Sequence, residues 1–290
     1  EGEVTIECNP DDVTEDYAKG LASLPINRVS MGVQSFDEDD LNFLNRRHSA
    51  QQVHTAIQAL RQQGITNLSL DLIYGLPNQT EEKWRANIQE FLALGVPHLS
   101  AYHLIYEEGT VLTRLVERGR VKPVDEEASL LFFQILIEEL RAAGYEHYEI
   151  SNFALPGLHA RHNTGYWQSV SYLGFGPSAH SFDGHRTRSY NVPSLKEYTT
   201  ELLAGRRAYE EEYLSDDELQ HEYVMTRLRT QWGIPLQEYQ KLFGEKALDA
   251  LLLEAKPHLE AGKLTEQAGI LRLTPSGVFV SDGIIADLFI

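Results

Sequence analysis

Four polar residues stand where an alternating apolar pattern ends or breaks. Glu7 closes Glu3-Val-Thr-Ile-Glu7, and Gln34 follows Arg28-Val-Ser-Met-Gly-Val33. Arg46 lies in Leu44-Asn-Arg-Arg-His48, and Asp71 interrupts Leu68-Ser-Leu-Asp-Leu-Ile-Tyr74. Two carboxylates, an amide and a guanidinium gathered at one rim would suit a zwitterionic ligand that also carries hydroxyls. The guanidinium would grip a carboxylate, and the acids would accept from an ammonium or from hydroxyls. A plainer reading stands beside this one: Glu7 pairs with Arg28, and Asp71 is hydrogen-bonded or ion-paired within its strand.

A second concentration of chemistry lies further on. Five of the eleven histidines fall between positions 147 and 185: His147, His159, His162, His180 and His185. Around His162 the chain reads His162-Asn-Thr-Gly-Tyr-Trp167. Neutral imidazole ligates haem iron well, and Tyr or Trp can lie against a porphyrin face. If the segment is helical, His162 and Tyr166 share a face, being four residues apart. The ordinary alternative is a hydrogen-bonded loop histidine among packed aromatics, and His159, His180 or His185 could equally serve as iron ligand.

The elements that must carry these residues follow from periodicity. Alternation predicts strands at 3–7, 27–31, 68–74, 97–104 and 145–150. Helices are predicted from near Asp37, over 49–63, from Thr80 to Gly95, and over 125–143. Ser49 is a good N-cap, and Gly64 and Gly95 are good stops. This rhythm implies parallel strands with right-handed crossovers, hence an α/β fold built on a whole or partial (β/α) barrel over 1–150. In such a barrel the strand ends converge on one rim. Residues 151–206 form a connecting segment rich in His and aromatics, and the pattern reads as helical from about Leu195. The glycines at 262, 269 and 277 predict a hairpin among helices, a small winged-helix-like domain over 207–290.

Bulk composition narrows the function. The net charge is −18, which repels a phosphate backbone. Residues 207–290 hold 8 Lys+Arg against 15 Asp+Glu, a net of −7, which argues against a winged helix that binds DNA. No apolar run approaches a membrane span and no signal segment opens the chain. A cytoplasmic protein with at most peripheral membrane association is the expectation. Cys8 is the single cysteine, so no disulfide closes within the chain.

Glu7-Cys-Asn-Pro10, Arg28-Val-Ser-Met-Gly-Val-Gln-Ser-Phe36 and Asp71-Leu-Ile-Tyr-Gly-Leu-Pro77 resemble the cofactor-binding strands of the oxygen-independent coproporphyrinogen III oxidase family of radical S-adenosylmethionine (SAM) proteins. The resemblance runs along essentially the whole chain. It implies a partial radical SAM barrel in which Glu7, Gln34, Arg46 and Asp71 contact SAM through side chains, and Ile105 through backbone. It also implies a [4Fe–4S] cluster held by a Cys-x3-Cys-x2-Cys motif. Cys8 cannot supply that motif and is expected to pack as a small apolar residue. The chain opens in mid-strand, and a preceding segment with the cluster cysteines and a glycine-rich loop is expected.

His162-Asn-x-x-Tyr166-Trp167 resembles the signature of the haem-chaperone branch of that family. Ser151-Asn-Phe-Ala154 and Gly174-Phe-Gly-Pro-Ser-Ala-His180 fit the same branch. The branch implies haem binding, with His162 as iron ligand, Tyr166 or Trp167 against the macrocycle, and transfer to acceptor apo-haemoproteins. The rival within the family is oxidative decarboxylation of coproporphyrinogen III. No Cys-x-x-Cys-His attachment sequence is present, so exchangeable haem is expected.

Overall fold

The computed structural model describes residues 2–290, which form two compact units meeting in sequence between Ala160 and Arg161.

The first unit alternates strand and helix: β1 (Thr5–Cys8), α1 (Glu15–Ala22), β2 (Arg28–Gln34), α2 (Glu38–Phe43), α3 (Ala50–Gln62), β3 (Leu68–Tyr74), α4 (Glu81–Leu94), β4 (His98–His103), α5 (Val111–Glu117), α6 (Glu126–Ala142), β5 (Glu146–Glu149) and β6 (Asn152–Ala154). The six strands form one sheet in the order β1-β2-β3-β4-β6-β5. β1 to β4 run parallel. Local chemistry sets the helix ends. The Ser49 hydroxyl accepts from the Gln52 N–H in a capping box, Thr80 and Asp125 cap α4 and α6, and Gly95 leaves α4 in a left-handed conformation.

The wholly parallel sheet expected from the rhythm needs correction. β6 runs antiparallel to β4 and to β5. Only Ile150 and Ser151 separate β5 from β6, and two residues can close a hairpin but cannot make a crossover. Among the described residues β1 and β5 remain the outer strands, so the sheet is an open fraction of a barrel.

Register gives the sheet two unlike faces. On one, Val29 lies across from Leu68, Met31 from Leu70, and Leu70 from Leu99. These residues are fully buried, as are Val53, Ile57 and Leu60 of α3 and Trp84, Ile88 and Phe91 of α4. Each such side chain contributes about 1.5–3 kcal/mol on leaving water. Trp84 Nε1 donates to the Phe132 carbonyl at 2.9 Å, tying α4 to α6. The opposite face carries Glu7 across from Ser30, Ser30 from Ser69, Ser69 from His98, and Asp71 from Ser100. It is polar from strand to strand.

The second unit contains α7 (Arg161–Trp167), β7 (His180–Phe182), β8 (Thr187–Asn191), α8 (Leu195–Leu203), β9 (Tyr209–Tyr213), α9 (Asp216–Leu228), β10 (Ile234–Pro235), α10 (Leu236–Phe243), α11 (Glu245–Glu260), β11 (Leu264–Gln267), β12 (Ile270–Leu273), α12 (Pro275–Val278) and α13 (Ser281–Asp287). The helical pattern expected from Leu195 is interrupted. α8 ends before Gly205 at φ +72°, and Tyr209-Glu-Glu-Glu-Tyr213 pairs antiparallel with β8. That sheet, β7-β8-β9, runs across position 206. The expected hairpin is β11–β12, joined by Ala268 and Gly269 at positive φ. With β10 it forms a three-stranded sheet, and Val224, Ile234, Tyr239, Leu251, Leu271 and Ile285 are buried in one core with it.

Candidate functional site

The polar face of the first unit positions three of the five residues assigned to SAM on neighbouring strands, with Arg46 folded back over them. Glu7 is the third residue of β1, and its charge acts on Asp71. Gln34 ends β2 at φ +70°, beyond an irregularity in the β2–β3 register, and lies across from Leu72, the residue after Asp71. A Cβ built on Gly32 would lie 2.9 Å from Gln34 Nε2 and 3.3 Å from a terminal nitrogen of Arg46. Gly32 is therefore the gap that lets both side chains fold over the strand. Arg46 donates to the Gly32 carbonyl and to Asn9 Oδ1, each at 2.8 Å. Its Nε is sealed from solvent and has no partner among the described residues.

Asp71 accepts from the Ser30 hydroxyl at 3.4 Å and from Ser100. Burial, then the nearby Glu7 carboxylate, pushes its pKa up to about 6 against the pull of these hydrogen bonds. Ile105 stands apart. It follows β4 on an exposed segment and is 72% exposed, while its neighbour Leu104 donates backbone N–H to the Tyr74 carbonyl.

The expected alternative pairing of Glu7 with Arg28 is not found. Arg28 is 5% exposed, and among the described residues it makes no ion pair within 4.0 Å and its Nε has no partner. Sequence reasoning also passed over His98, Ser100 and Tyr102. His98 is buried between the Ser69 hydroxyl at 2.7 Å and the Tyr148 hydroxyl at 2.8 Å. Desolvation, followed by the Arg28 charge, holds its pKa down to about 3, so the ring is neutral. Tyr102 reaches the same face near Asp71 and Ser100. The signal was present in His98-Leu-Ser-Ala-Tyr102, where every second residue is polar or aromatic.

Cys8 is half-buried, with its thiol 3.9 Å from the Tyr17 hydroxyl, and burial raises its pKa. Among the described residues no group of three His, Cys, Asp or Glu could hold a metal ion. The residues of this chain do not fit a [4Fe–4S] cluster, which needs several thiolates.

The His162 segment is helical. On α7 His162 Nε2 lies 2.7 Å from the Tyr166 hydroxyl, with the rings edge-to-face at 4.6 Å. Tyr166 and His162 are both exposed. Trp167, five residues from His162, falls about 140° around the helix and does not share that face. Tyr166 meets Tyr172 edge-on at 4.6 Å, and Tyr172 meets Phe182 at 6.3 Å. The other histidines divide. His147 is stacked on Phe153 and held neutral by burial, with its pKa lowered to about 4. His159 is bound to Glu146 Oε2 at 2.6 Å and stacked on Tyr148. His180 and His185 are in the second unit, on β7 and in the turn that follows it.

Comparison with known proteins follows the same division. Residues 1–91 match the Radical SAM superfamily, and residues 214–280 match the HemN C-terminal domain. The chain is 33% identical over 277 residues to a protein named heme chaperone HemW from Bacillus subtilis (strain 168), covering 95% of this chain and 73% of that protein. It is 33% identical over 290 residues to the heme chaperone HemW of Mycobacterium tuberculosis (strain ATCC 25618 / H37Rv), covering 99% and 72%. It is 32% identical over 299 residues to the mitochondrial radical S-adenosyl methionine domain-containing protein 1 of Bos taurus, covering 99% and 68%. Among solved structures, the coproporphyrinogen III oxidase HemN of Escherichia coli superposes with a TM-score of 0.82 at 21% identity, over 99% of this chain and 70% of that one. That likeness establishes the fold.

Proposed function

The chain belongs to the radical SAM family of the HemW proteins, and on that premise we propose that it is a haem chaperone, binding haem and delivering it to acceptor apo-haemoproteins in the cytoplasm. The observation that supports this reading is the His162–Tyr166 pair at the surface of α7. An imidazole at the surface of a short helix can reach iron without dismantling a core. The Tyr166 ring beside it offers an apolar surface to a macrocycle. Trp167 would meet haem only from a neighbouring face. Binding through one imidazole, without a covalent link, leaves the haem free to be passed on. Titrating haemin into the chain while following the Soret band tests this. Saturable binding that is lost in His162→Ala is expected, and an unaltered spectrum and affinity in that variant would reject His162 as ligand.

SAM would be held on the polar face of the first unit. Arg46, with its unpartnered Nε, suits the methionine carboxylate. Glu7 and Asp71 suit the ammonium or ribose hydroxyls, and Gln34 can both donate and accept beside them. The exposed backbone at Ile105 completes the set. A [4Fe–4S] cluster would supply the electron for SAM chemistry, and it needs thiolates beyond Cys8. Arg46 orients the ligand, and Gly32 leaves the space in which it does so. The rival activity, oxidative decarboxylation of coproporphyrinogen III, is separated from the chaperone reading by product analysis with that substrate.

A further inference from the structure

The second unit carries a groove of about 840 Å³ that the haem and SAM readings do not use. One wall is a single face of α9, where Asp216, Gln220, Tyr223 and Arg227 recur at helical spacing. The turn between β7 and β8 faces it, and Leu242 and Phe243 at the end of α10 close the floor.

Three observations define what fits there. The first is apolar surface. Phe182, Tyr223 and Phe243 line the groove, and Leu242 beside them is 57% exposed. The second is an unmet hydrogen bond. The Tyr223 hydroxyl sits between Arg227 and Glu238, sealed from solvent, with no hydrogen bond of ordinary geometry to either. The third is charge. Both arginines of the lining are held by carboxylates of the same lining, Arg186 by Asp216 at 2.7 Å and Arg227 by Glu238 at 3.2 Å. Glu222 is likewise held by Arg188, outside the lining, and Asp217, which has no ion pair among the described residues, leaves the groove acidic. In sequence, Glu210-Glu-Glu212 and Asp216-Asp-Glu218 hold six carboxylates, those of Asp216 and Asp217 in the lining and four outside it. Such a groove repels an anionic ligand and attracts a cationic one.

We propose that this groove docks an extended basic segment of a partner protein. An apolar side chain of the segment lies on Phe182, Tyr223 and Phe243, a Lys or Arg faces Asp217, and the Tyr223 hydroxyl donates to a backbone carbonyl of the segment once Arg227, which lies over its ring, turns aside. Phe182 is also the far end of the ring series that starts at His162. A partner seated here is therefore separated from the proposed iron ligand by two rings, those of Tyr166 and Tyr172. That the partner is a haem acceptor rests on the chaperone reading, whereas the recognition of a basic segment does not.

The test uses the whole chain and two fluorescein-labelled peptides, one alternating lysine with phenylalanine and leucine, the other with glutamate in place of lysine. Anisotropy should show saturable binding of the basic peptide, weakened by salt, and none of the acidic one. Leu242→Lys changes an exposed residue and should weaken binding by about tenfold or more. Tyr223→Phe removes only the unmet hydroxyl. It should weaken binding by about three- to tenfold without lowering the melting temperature, which a purely structural tyrosine would not do. No binding of the basic peptide, equal binding of the acidic one, or full affinity in Leu242→Lys overturns the proposal. Competition by haemin would also overturn it, making the groove a porphyrin site. The Soret titration of His162→Ala is independent of this groove, so failure of the chaperone reading is distinguishable from failure of docking.

Discussion

His162 Nε2 and the Tyr166 hydroxyl lie 2.7 Å apart, one helical turn from each other on α7. If iron takes Nε2, it must displace that hydroxyl. A hydrogen bond is worth about 0.5–1.5 kcal/mol net, so Tyr166→Phe should tighten haemin binding by up to about tenfold. Soret titration of the variant reads this directly. Weaker binding would mean that the hydroxyl contacts the haem instead of guarding the nitrogen.

Asp71 gives the first unit a particular dependence on pH. Its pKa is raised to about 6, so the folded chain keeps a proton that the unfolded chain releases near pH 4. The stabilisation from this group is complete below about pH 4 and is lost as pH rises through about 6. Asp71→Asn should abolish that share of the slope. Urea unfolding of both proteins across this window checks it, and parallel curves would contradict the assignment.

His98 acts in the opposite sense. Its pKa is held to about 3, below the value of a free imidazole, so the unfolded chain takes up the proton first. Its contribution is present above about pH 6.5 and is lost as pH falls toward 3. Tyr148→Phe leaves the buried Nε2 without its 2.8 Å partner and should cost about 1–3 kcal/mol. Chemical denaturation at neutral pH measures the loss, and no change would show that the hydroxyl is dispensable.

Two glycines with similar backbone angles should respond differently to alanine. Gly64 has φ +80° and open space where an added methyl group would sit, so Gly64→Ala should cost only the left-handed backbone, about 1–2 kcal/mol. At Gly75, φ +76°, a Cβ would lie 2.6 Å from His103 Nε2, the atom that bonds Ser129 at 3.0 Å. Gly75→Ala should destabilise distinctly more. Thermal unfolding of the pair checks the order.

What could be read from the sequence was what local chemistry decides. Ser49, Thr80 and Asp125 cap their helices through side chains that reach only three residues. The alternation in Leu68–Tyr74 was enough to place Asp71 opposite the apolar face. β6 and β9 were not legible because each is short and depends on a partner strand for its hydrogen bonds. The Arg46 contacts to Asn9 and Gly32 were likewise hidden, since they join segments 37 and 14 residues apart. Nothing in Arg28-Val-Ser indicated that the guanidinium would be buried with no ion pair among the described residues.

The strand order β4-β6-β5 also constrains how the sheet is completed during folding. β5 precedes β6 in the chain, yet it touches the sheet only through β6. It therefore cannot be added by the next step of a growing parallel sheet. The two-residue turn at Ile150 and Ser151 makes the β5–β6 hairpin a fast, local event, while pairing of β6 with β4 closes a loop of roughly fifty residues that includes α5 and α6. The hairpin and α6 should consequently join the sheet as one late unit. Damage to the turn would slow that step and leave the outer edge of β4 open while the chain waits.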